Sequence, residues 1–298
     1  MSTFVAKAPT IPAQISEVQR PRLAFPHNAC DAHVHVFGPQ DRYPHGPTPG
    51  YIPNLATVEQ LRAMLHTIGC ARAVIVQPSY YGTDNSCTVD ALIAGQGSFR
   101  GVACVAADVS DAELDALHAA GVRGARVNVK AANGVPDMTV VNGVAERIKR
   151  LGWHVQLFFH GDTMPTLDES LAKLPVEVVI DHIGYVRATD GVHGKGFQML
   201  MRLARSGRVW FKLSAPYRQS DKAPHFEDVA PLAHALYAAV PDRCVWASDW
   251  PHASRNDTGI IRVPNDGELA DAFINYFPDA ADRQRILVDN PARLYGFE

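Results

Sequence analysis

The sequence lacks the features that mark disulfide-rich, zinc-ribbon and membrane proteins. Its five cysteines are scattered, with no CxxC pair and no metal-ribbon spacing, which indicates free thiols in a reducing compartment. No uninterrupted apolar stretch reaches the roughly 18 residues that a bilayer-spanning helix needs. No apolar stretch of about 7–15 residues follows a basic start, as a secretory signal requires. We therefore expect a cytoplasmic protein without a membrane segment.

Excess charge and nucleotide-binding motifs are also missing. The 28 lysines and arginines nearly balance the 31 aspartates and glutamates, which leaves a formal net charge of −3. This balance disfavours a nucleic-acid surface or a polybasic membrane anchor. The sequence contains neither G-x-G-x-x-G nor G-x-x-x-x-G-K-[ST]. The expected partner is a small molecule, and the oligomeric state is left open.

Short apolar segments alternate with longer segments of helical period along most of the 298 residues. Apolar positions recur at i, i+3, i+4 and i+7 in 57–66 and 111–118, and further helices are expected around 266–276 and 279–289. Asp111 is the predicted start of one helix, and Gly69 and Gly121 are predicted helix ends. Eight apolar segments have the length of strands buried on both faces. They are 31–37, 72–77, 101–106, 124–129, 154–159, 177–181, 209–213 and 244–248.

Eight strands alternating with helices predict a closed (β/α)₈ TIM barrel of the α/β class with elaborated loops, and an open doubly wound sheet is the alternative. We expect residues 1–26 to form an N-terminal extension and residues 27–298 to form a single barrel domain. Two long loops, 38–56 and 250–266, are rich in proline, glycine and histidine. Long loops of this kind are often functional.

Polar residues are concentrated where barrel chemistry is expected, at the carboxyl ends of the strands. In Asp31-Ala-His33-Val-His35 the two histidines are two residues apart, so both imidazoles lie on one face of the strand. Such a pair can bind a metal or polarise a substrate oxygen. The alternative is that one histidine packs in the core and the other bonds a loop.

The sixth and eighth strands end in acidic and histidine side chains. Asp181-His182 follows one strand, and Asp249 comes directly after the other. A carboxylate at that position is costly unless it has a partner, so Asp249 is a candidate base. It could instead cap a helix or form a structural ion pair. His252 is expected in the following loop, either behind the site or exposed.

Together these stretches resemble the amidohydrolase superfamily, and within it the lactonase group similar to 2-pyrone-4,6-dicarboxylate lactonase. The resemblance runs from about residue 22 to the C-terminus, and the F-G-P and G-T-D-N extensions are more specific than D-x-H-x-H alone. The matching motifs are Asp31-Ala-His-Val-His-Val-Phe-Gly-Pro39, Val74-Ile-Val-Gln-Pro-Ser79, Gly82-Thr-Asp-Asn85, Val122-Arg-Gly-Ala-Arg-Val-Asn128, Ile180-Asp-His-Ile-Gly184, Ser248-Asp-Trp-Pro-His252 and Asn290-Pro-Ala-Arg-Leu-Tyr295.

The resemblance implies hydrolysis of a carboxylated cyclic ester by an activated water. Asp249 would be the general base that takes the water proton and later protonates the leaving oxygen. His33, His35 and His182 would polarise the carbonyl and stabilise the tetrahedral intermediate. The implied chemistry therefore depends on four side chains from three strand ends.

The resemblance also implies four substrate-binding residues. Arg126 and Arg218 would clamp substrate carboxylates, and Ser79 and Tyr51 would complete the pocket by hydrogen bonding. Each has an ordinary structural alternative. Arg126 could pair with a neighbouring carboxylate, Arg218 could be solvated, Ser79 could begin a turn, and Tyr51 could be a surface aromatic.

Two departures from the family pattern bear on the substrate. A second strand-four arginine is replaced by the run Val127-Asn-Val-Lys130, and an aromatic hydroxyl at the end of strand five is replaced by Phe158-Phe159-His160. The resemblance implies no obligatory metal, with zinc as the alternative. His33, His35, His182 and Asp249 would then be the ligands, and the roles of Lys130 and His160 are left open.

The sequence therefore predicts a hydrolase that opens a carboxylated lactone, either 2-pyrone-4,6-dicarboxylate or a related muconolactone-type or sugar-acid lactone in catabolism. One alternative is a zinc-dependent amidohydrolase or decarboxylase of the same barrel type. A second is a barrel that binds a ligand without catalysis.

Overall fold

A computed structural model of the chain describes residues 8–47, 49–129, 131–132, 135–164, 166–253 and 263–298. Within these residues, eight major strands alternate with helices, and two short helices follow the last repeat. The strands are β1 Cys30–Val34, β2 Arg72–Val76, β3 Phe99–Ala103, β4 Val122–Asn128, β5 His154–Phe158, β6 Val178–Ile180, β7 Val209–Ser214 and β8 Cys244–Ala247. The helices are α1 Val58–Ile68, α2 Ser86–Ala94, α3 Asp111–Ala119, α4 Thr139–Ile148, α5 Leu167–Leu171, α6 Lys195–Arg205, α7 Ala230–Ala239, α8 Asp266–Tyr276, α9 Ala280–Gln284 and α10 Asn290–Tyr295.

The eight strands form one parallel sheet in which neighbours in space are neighbours in the chain. β1 and β8 also lie side by side. Two backbone hydrogen bonds join the segments at their carboxyl ends: the Asp249 amide donates to the His33 carbonyl at 3.0 Å, and the His35 amide donates to the Trp250 carbonyl at 2.8 Å. The sheet therefore curls until its first and last strands meet. The predicted (β/α)₈ barrel is confirmed, and the open-sheet alternative is wrong.

Local sequence signals explain several helix ends. Thr57 caps α1 with a reciprocal capping box to Gln60, and Gly69 ends the helix in the left-handed conformation that glycine adopts without strain. α3 begins at Asp111 as predicted, and the Ser110 side chain caps it by accepting from the Glu113 amide. The predicted helix 279–289 is divided between α9 and a π-helical turn, Arg285–Asp289.

The strand predictions are correct in number and order but not at every end. β3 begins and ends earlier than the predicted 101–106. Its ladder stops at Ala103 because the next amide, that of Cys104, donates to the Asn85 side chain at 3.0 Å. β1 likewise ends at Val34, since the His35 amide is taken by the Trp250 carbonyl.

Every second side chain of a strand points into the barrel, and these interior side chains include both apolar and polar residues. Trp210 belongs to an apolar cluster that also contains Val179, Val245, Tyr295 and Phe297. Since side chains two apart share a face, Lys212 continues the face of Trp210 toward the carboxyl end of β7. The barrel interior is therefore apolar at one end and polar where the strands finish.

The described part of the N-terminal segment lies against the barrel. The Ile11 amide bonds the Ile52 carbonyl at 3.0 Å, the Gln19 amide bonds the Asn265 side chain at 3.0 Å, and the Arg22 amide bonds the Asp271 side chain at 2.9 Å. Residues 8–26 are thus attached to the first long loop and to α8. Among the described residues, no helix combines the length and apolarity that crossing a membrane requires.

Candidate active site

Three imidazoles surround one carboxylate at the carboxyl end of the barrel. The Nε2 atoms of His33 and His35 each lie 3.7 Å from Asp249 Oδ1, and Nε2 of His182 lies 3.6 Å from the same oxygen. All four residues are buried. The structure therefore brings together the four side chains that the sequence predicts as catalytic.

The backbone at these strand ends is unusual. Asp249 has a φ of 68° and His182 has a φ of 49°, in the left-handed region that residues with a Cβ seldom adopt. Ile183 and Tyr185 share this conformation, at 49° and 54°. Each such residue costs about 1–3 kcal/mol, and strain of this kind clusters at functional sites. The tight turns after β6 and β8 aim His182 and Asp249 at one point.

The two oxygens of Asp249 have different surroundings. Oδ2 accepts hydrogen bonds from the Tyr217 hydroxyl at 2.5 Å and from the Arg218 Nε and Nη2 at 2.8 and 2.6 Å. Oδ1 accepts no hydrogen bond from the described residues. Burial would raise the pKa of Asp249, but the positive charge of Arg218 opposes it, and this pKa lies well below its usual range. The group is a carboxylate with one oxygen free to act.

The outer nitrogens of two imidazoles are fixed by acceptors. His35 Nδ1 lies 2.7 Å from the Val76 carbonyl and therefore carries the hydrogen that it donates. His182 Nδ1 lies 2.9 Å from the Ser214 hydroxyl, which itself donates to the Lys212 carbonyl. Burial lowers the pKa of His35 and of His182 to about 4. Both rings are thus neutral near pH 7, with an Nε2 lone pair facing Asp249.

A second buried carboxylate, Asp181, lies beneath His33. Its Oδ2 accepts from Arg126 Nε at 3.0 Å, and its Oδ1 lies 3.6 Å from Lys212 Nζ and 3.2 Å from His33 Nδ1. Burial would raise the pKa of Asp181, but His33, Arg126 and Lys212 hold it well below the usual range. Around the site, three cations, Arg126, Lys212 and Arg218, contact the carboxylates of Asp181 and Asp249. This concentration of cations favours an anionic ligand.

The predicted substrate-binding residues lie in two places. Ser79 and Arg126 line a cavity of about 390 Å³, together with Thr83, Asn128 and Asp137, and Arg126 connects this cavity to His33 through Asp181. Ser79 also begins the 3₁₀ turn Ser79–Tyr81, as its structural alternative proposed. The cavity offers a guanidinium, hydroxyls, an amide and one carboxylate to a ligand.

Tyr51 and Arg218 do not match their surface alternatives. Tyr51 is buried and stacks on Tyr80 at 6.2 Å between ring centroids. Burial raises the pKa of its hydroxyl to about 12, and a hydrogen bond with Ser79 opposes this rise. Arg218, with only 10% of its side chain exposed, is held by Asp249 and lies over the rings of Tyr185 and Tyr217. Arg126 forms the carboxylate pair that its structural alternative proposed, with Asp181.

The Gly82-Thr-Asp-Asn85 motif shapes the wall of this cavity. The Asn85 amide donates to the Thr83 and Cys104 carbonyls at 2.9 Å, and its oxygen accepts from the Cys104 amide. The Gln77 side chain donates to the Asp84 carbonyl at 2.7 Å. These bonds tie the loop after β2 to the end of β3, so the motif holds Ser79 beside Arg126.

A hydrogen-bonded chain lies behind Asp249. His252 is buried, with Nδ1 3.3 Å from the Tyr217 hydroxyl and Nε2 3.2 Å from Asp266 Oδ1. Tyr217 donates in turn to Asp249. His252 therefore lies behind the site, as one of the two predicted placements has it, and the exposed placement is wrong.

Sequence reasoning missed three side chains that touch this site: Lys212, Gln156 and Tyr217. Lys212 interrupts an otherwise apolar strand, and a charged residue there is a signal of an interior polar partner. Gln156 gives the same signal in β5. Tyr217 gives no signal, because only the turn after β7 brings it to Asp249.

The two residues whose roles the sequence leaves open are His160 and Lys130. His160 is exposed and contacts the rings of Phe158 and Tyr185, and Lys130 lies outside the described residues.

The spacing of the central atoms fits a divalent metal ion. Ligand atoms of His33, His182 and Asp249 all lie within 4.8 Å of one another, and the Nε2 atoms of His33 and His35 are 3.3 Å apart. Zinc–nitrogen bonds of about 2.0–2.1 Å in a tetrahedron separate neighbouring ligands by about 3.3–3.4 Å. His35 and His182 also carry the outer hydrogen bonds that metal-ligating histidines make. The described residues therefore contain a cluster that can hold a metal.

Comparison with known proteins places this site in a family. The sequence profile described as Amidohydrolase matches residues 30–297. A 2-pyrone-4,6-dicarboxylate hydrolase of Comamonas testosteroni is 40% identical over 286 residues, 93% of this chain and 92% of that protein. A 4-sulfomuconolactone hydrolase of Hydrogenophaga intermedia is 36% identical, over 92% and 91% of the two chains. A crystal structure from Agrobacterium tumefaciens superposes with a TM-score of 0.81 at 29% identity, over 93% and 99% of the chains. The chain belongs to the amidohydrolase family.

Proposed function

We propose that the protein hydrolyses a lactone ring that carries a carboxylate or a similar anionic group. One observation carries the proposal: Asp249 Oδ1 accepts no hydrogen bond from the described residues and faces three imidazole Nε2 atoms at 3.6–3.7 Å. The names of two relatives, a pyrone dicarboxylate hydrolase and a sulfomuconolactone hydrolase, support the same chemistry on anionic lactones.

In the proposed reaction, Asp249 Oδ1 takes a proton from water while the water oxygen attacks the lactone carbonyl. His33 is left to polarise that carbonyl and stabilise the oxyanion of the tetrahedral intermediate, while the Nε2 lone pairs of His35 and His182 accept hydrogen bonds from the attacking water. The ring carbon–oxygen bond then breaks, and the protonated Asp249 returns its proton to the leaving oxygen. The products are a free carboxylate and a hydroxyl group on one opened chain.

The arginines give the site its preference for anions. Arg126 binds the anionic substituent in the cavity that it lines with Ser79, and Tyr51 supports Ser79 by a hydrogen bond. Arg218 is bonded to Asp249, and a substrate carboxylate that draws on its guanidinium weakens this bond. The pKa of Asp249 would then rise, and a stronger base would form only when the substrate is bound.

We propose that this reaction needs no resident metal. The support is the surroundings of His33, whose Nδ1 faces the Lys212 ammonium at 3.1 Å rather than only an acceptor. If zinc is bound, His33, His35, His182 and Asp249 would hold it. Zinc lowers the pKa of water to about 7 and polarises carbonyl oxygens. The zinc-dependent alternative predicts stoichiometric zinc in purified protein and loss of activity on chelation.

A substrate panel tests the function and the metal together. Hydrolysis of 2-pyrone-4,6-dicarboxylate, muconolactones and aldonolactones would be followed with the metal-free protein and with added zinc. Asp249→Asn is expected to lower kcat by about 10²–10⁴-fold with the fold intact, because the proton acceptor is gone. The matched control is Asp221→Asn, which alters an exposed carboxylate. Tight binding of a lactone without turnover would favour a non-catalytic barrel and overturn the proposal.

A further inference from the structure

Lys212 is a buried cation that the proposed reaction does not use. Its side chain is 0% exposed, inside the barrel beneath His33. Its Nζ lies 2.8 Å from Gln156 Oε1, 3.1 Å from His33 Nδ1 and 3.6 Å from Asp181 Oδ1. An ammonium has three N–H donors and no acceptor. Gln156 Oε1 and His33 Nδ1 are within hydrogen-bond distance of Nζ, and His33 Nδ1 can accept from it only if it has a lone pair.

Gln156 adds a second donor to the same nitrogen. Because its Oε1 accepts from Lys212, its amide nitrogen is turned toward His33 Nδ1, at 3.5 Å. Asp181 Oδ1, at 3.2 Å from His33 Nδ1, is the one competing acceptor among these three neighbours. Two donors thus face one acceptor across this nitrogen, which places the hydrogen of the neutral ring on Nε2.

The surroundings of His33 Nε2 independently indicate the same tautomer, with the hydrogen on Nε2. His33 Nε2 lies 3.3 Å from His35 Nε2, and two imidazole nitrogens at that distance need one hydrogen between them. His35 Nε2 cannot supply it, since the hydrogen of that neutral ring is on Nδ1 and bonds the Val76 carbonyl. The hydrogen therefore belongs to His33.

We infer that Lys212 is a positioning residue that holds His33 in the tautomer with its hydrogen on Nε2. That N–H points into the cluster, where His35 Nε2 is the acceptor at 3.3 Å and Asp249 Oδ1 lies farther away, at 3.7 Å. In the proposed lactone reaction, and resting on it, His33 is the imidazole that donates to the oxyanion, while the lone pairs of His35 and His182 orient the water. A protonated Nε2 is also a poor metal ligand, so Lys212 biases the site against zinc.

Nitrogen NMR of the metal-free protein labelled with ¹⁵N-histidine tests the tautomer directly, with the His33 signals assigned from a His33→Asn variant. In the wild type, the hydrogen of His33 is expected on Nε2. In Lys212→Met, it is expected to move to Nδ1, where Asp181 becomes the acceptor. A wild-type His33 with its hydrogen on Nδ1, or an unchanged tautomer in folded Lys212→Met, would overturn the inference. If that variant does not fold, the wild-type spectrum decides alone.

Two further measurements separate this role from simple packing. Lys212→Met is expected to bind zinc at least about tenfold more tightly than wild type by calorimetry, because three Nε2 lone pairs then converge with Asp249. Its kcat is expected to fall by about 10²-fold with little change in KM, as for loss of one oxyanion donor. The control Lys195→Met removes an exposed lysine and should change neither. Unchanged zinc affinity in folded Lys212→Met would contradict the inference.

The tautomer result does not depend on lactone turnover. The expected spectra together with no hydrolysis of any lactone would leave the role of Lys212 standing and remove the proposed function. Lactone turnover together with the His33 hydrogen on Nδ1 would support the proposed function and remove the role of Lys212.

Discussion

Asp181 and Asp249 follow two buried strands of the same barrel, and each is paired with an arginine, yet their surroundings differ. Asp181 Oδ1 faces a fixed cation, Lys212, at 3.6 Å, and its other oxygen bonds Arg126. Asp249 Oδ1 faces only neutral imidazole edges, and its other oxygen carries the arginine. The position of an aspartate at a strand end therefore does not define its role. The group that faces the second carboxylate oxygen defines the role. An aspartate whose second oxygen faces a cation is a structural counter-ion, and one whose second oxygen faces imidazoles can act as a base.

Exchanging each aspartate for asparagine should separate the two roles most strongly. Asp181→Asn leaves Arg126 and Lys212 as buried cations without a counter-ion and should lower the free energy of unfolding by about 3–5 kcal/mol. Asp249→Asn should cost less stability, because Arg218 lies beside the rings of Tyr185 and Tyr217. Urea unfolding at neutral pH measures both. Equal losses in the two variants would refute the comparison.

The two arginines should likewise separate binding from chemistry. Arg126→Met removes a charge-assisted contact to the substrate and should raise KM by about 10–100-fold, since such bonds contribute about 1.5–3 kcal/mol. Steady-state kinetics measure this, with a thermal melt to confirm the fold. A variant with unchanged KM would show that Arg126 serves only as the partner of Asp181.

Arg218→Met should act on the base instead. Arg218 holds the pKa of Asp249 low against the effect of burial, so its removal raises that pKa. A base is inactive when protonated, and protonation then begins at a higher pH. The acidic limb of the kcat/KM profile should therefore move to higher pH in Arg218→Met. A limb that stays in place would argue against Asp249 as the group that titrates.

The smallest effect is expected at Tyr217. Tyr217→Phe removes one of three donors to Asp249 Oδ2 and leaves the arginine in place. Because a hydrogen bond to a charged group contributes about 1.5 kcal/mol at the low end and both bonds from Arg218 remain, kcat should change by about tenfold. Tyr237→Phe is the control, since this hydroxyl bonds Asp282 on the outer surface. A loss as large as that of Asp249→Asn would mean that Tyr217 takes part in the proton transfer.

The fold could be predicted from the sequence because each element carries its own periodicity and ends. Alternation of apolar runs with amphipathic segments is sufficient to count eight repeats. The strand ends are less predictable, as β3 shows. This strand ends where the Cys104 amide donates to Asn85, a side chain from a different loop.

The site was predictable in part for the same reason. Strand ends of a barrel meet at one face, so His33, His35, His182 and Asp249 could be grouped without coordinates. The partners of the two aspartates could not be predicted in this way. Arg218 bonds Asp249 and Arg126 bonds Asp181 only because of the paths that particular turns take. Lys212 was missed since a single charge in an apolar strand does not tell which interior group it meets.

The bonds that close the barrel have a consequence for biosynthesis. Asp31 Oδ1 and the Ser248 amide, 217 positions apart, are joined at 3.0 Å, and the His33 carbonyl accepts from Asp249 beside them. Joining segments so distant in sequence is entropically slow. A chain emerging from the ribosome has its histidines early but gains its acid only when the final strand docks. Translation intermediates should therefore be inert toward metabolites, and activity should arise in a single late step.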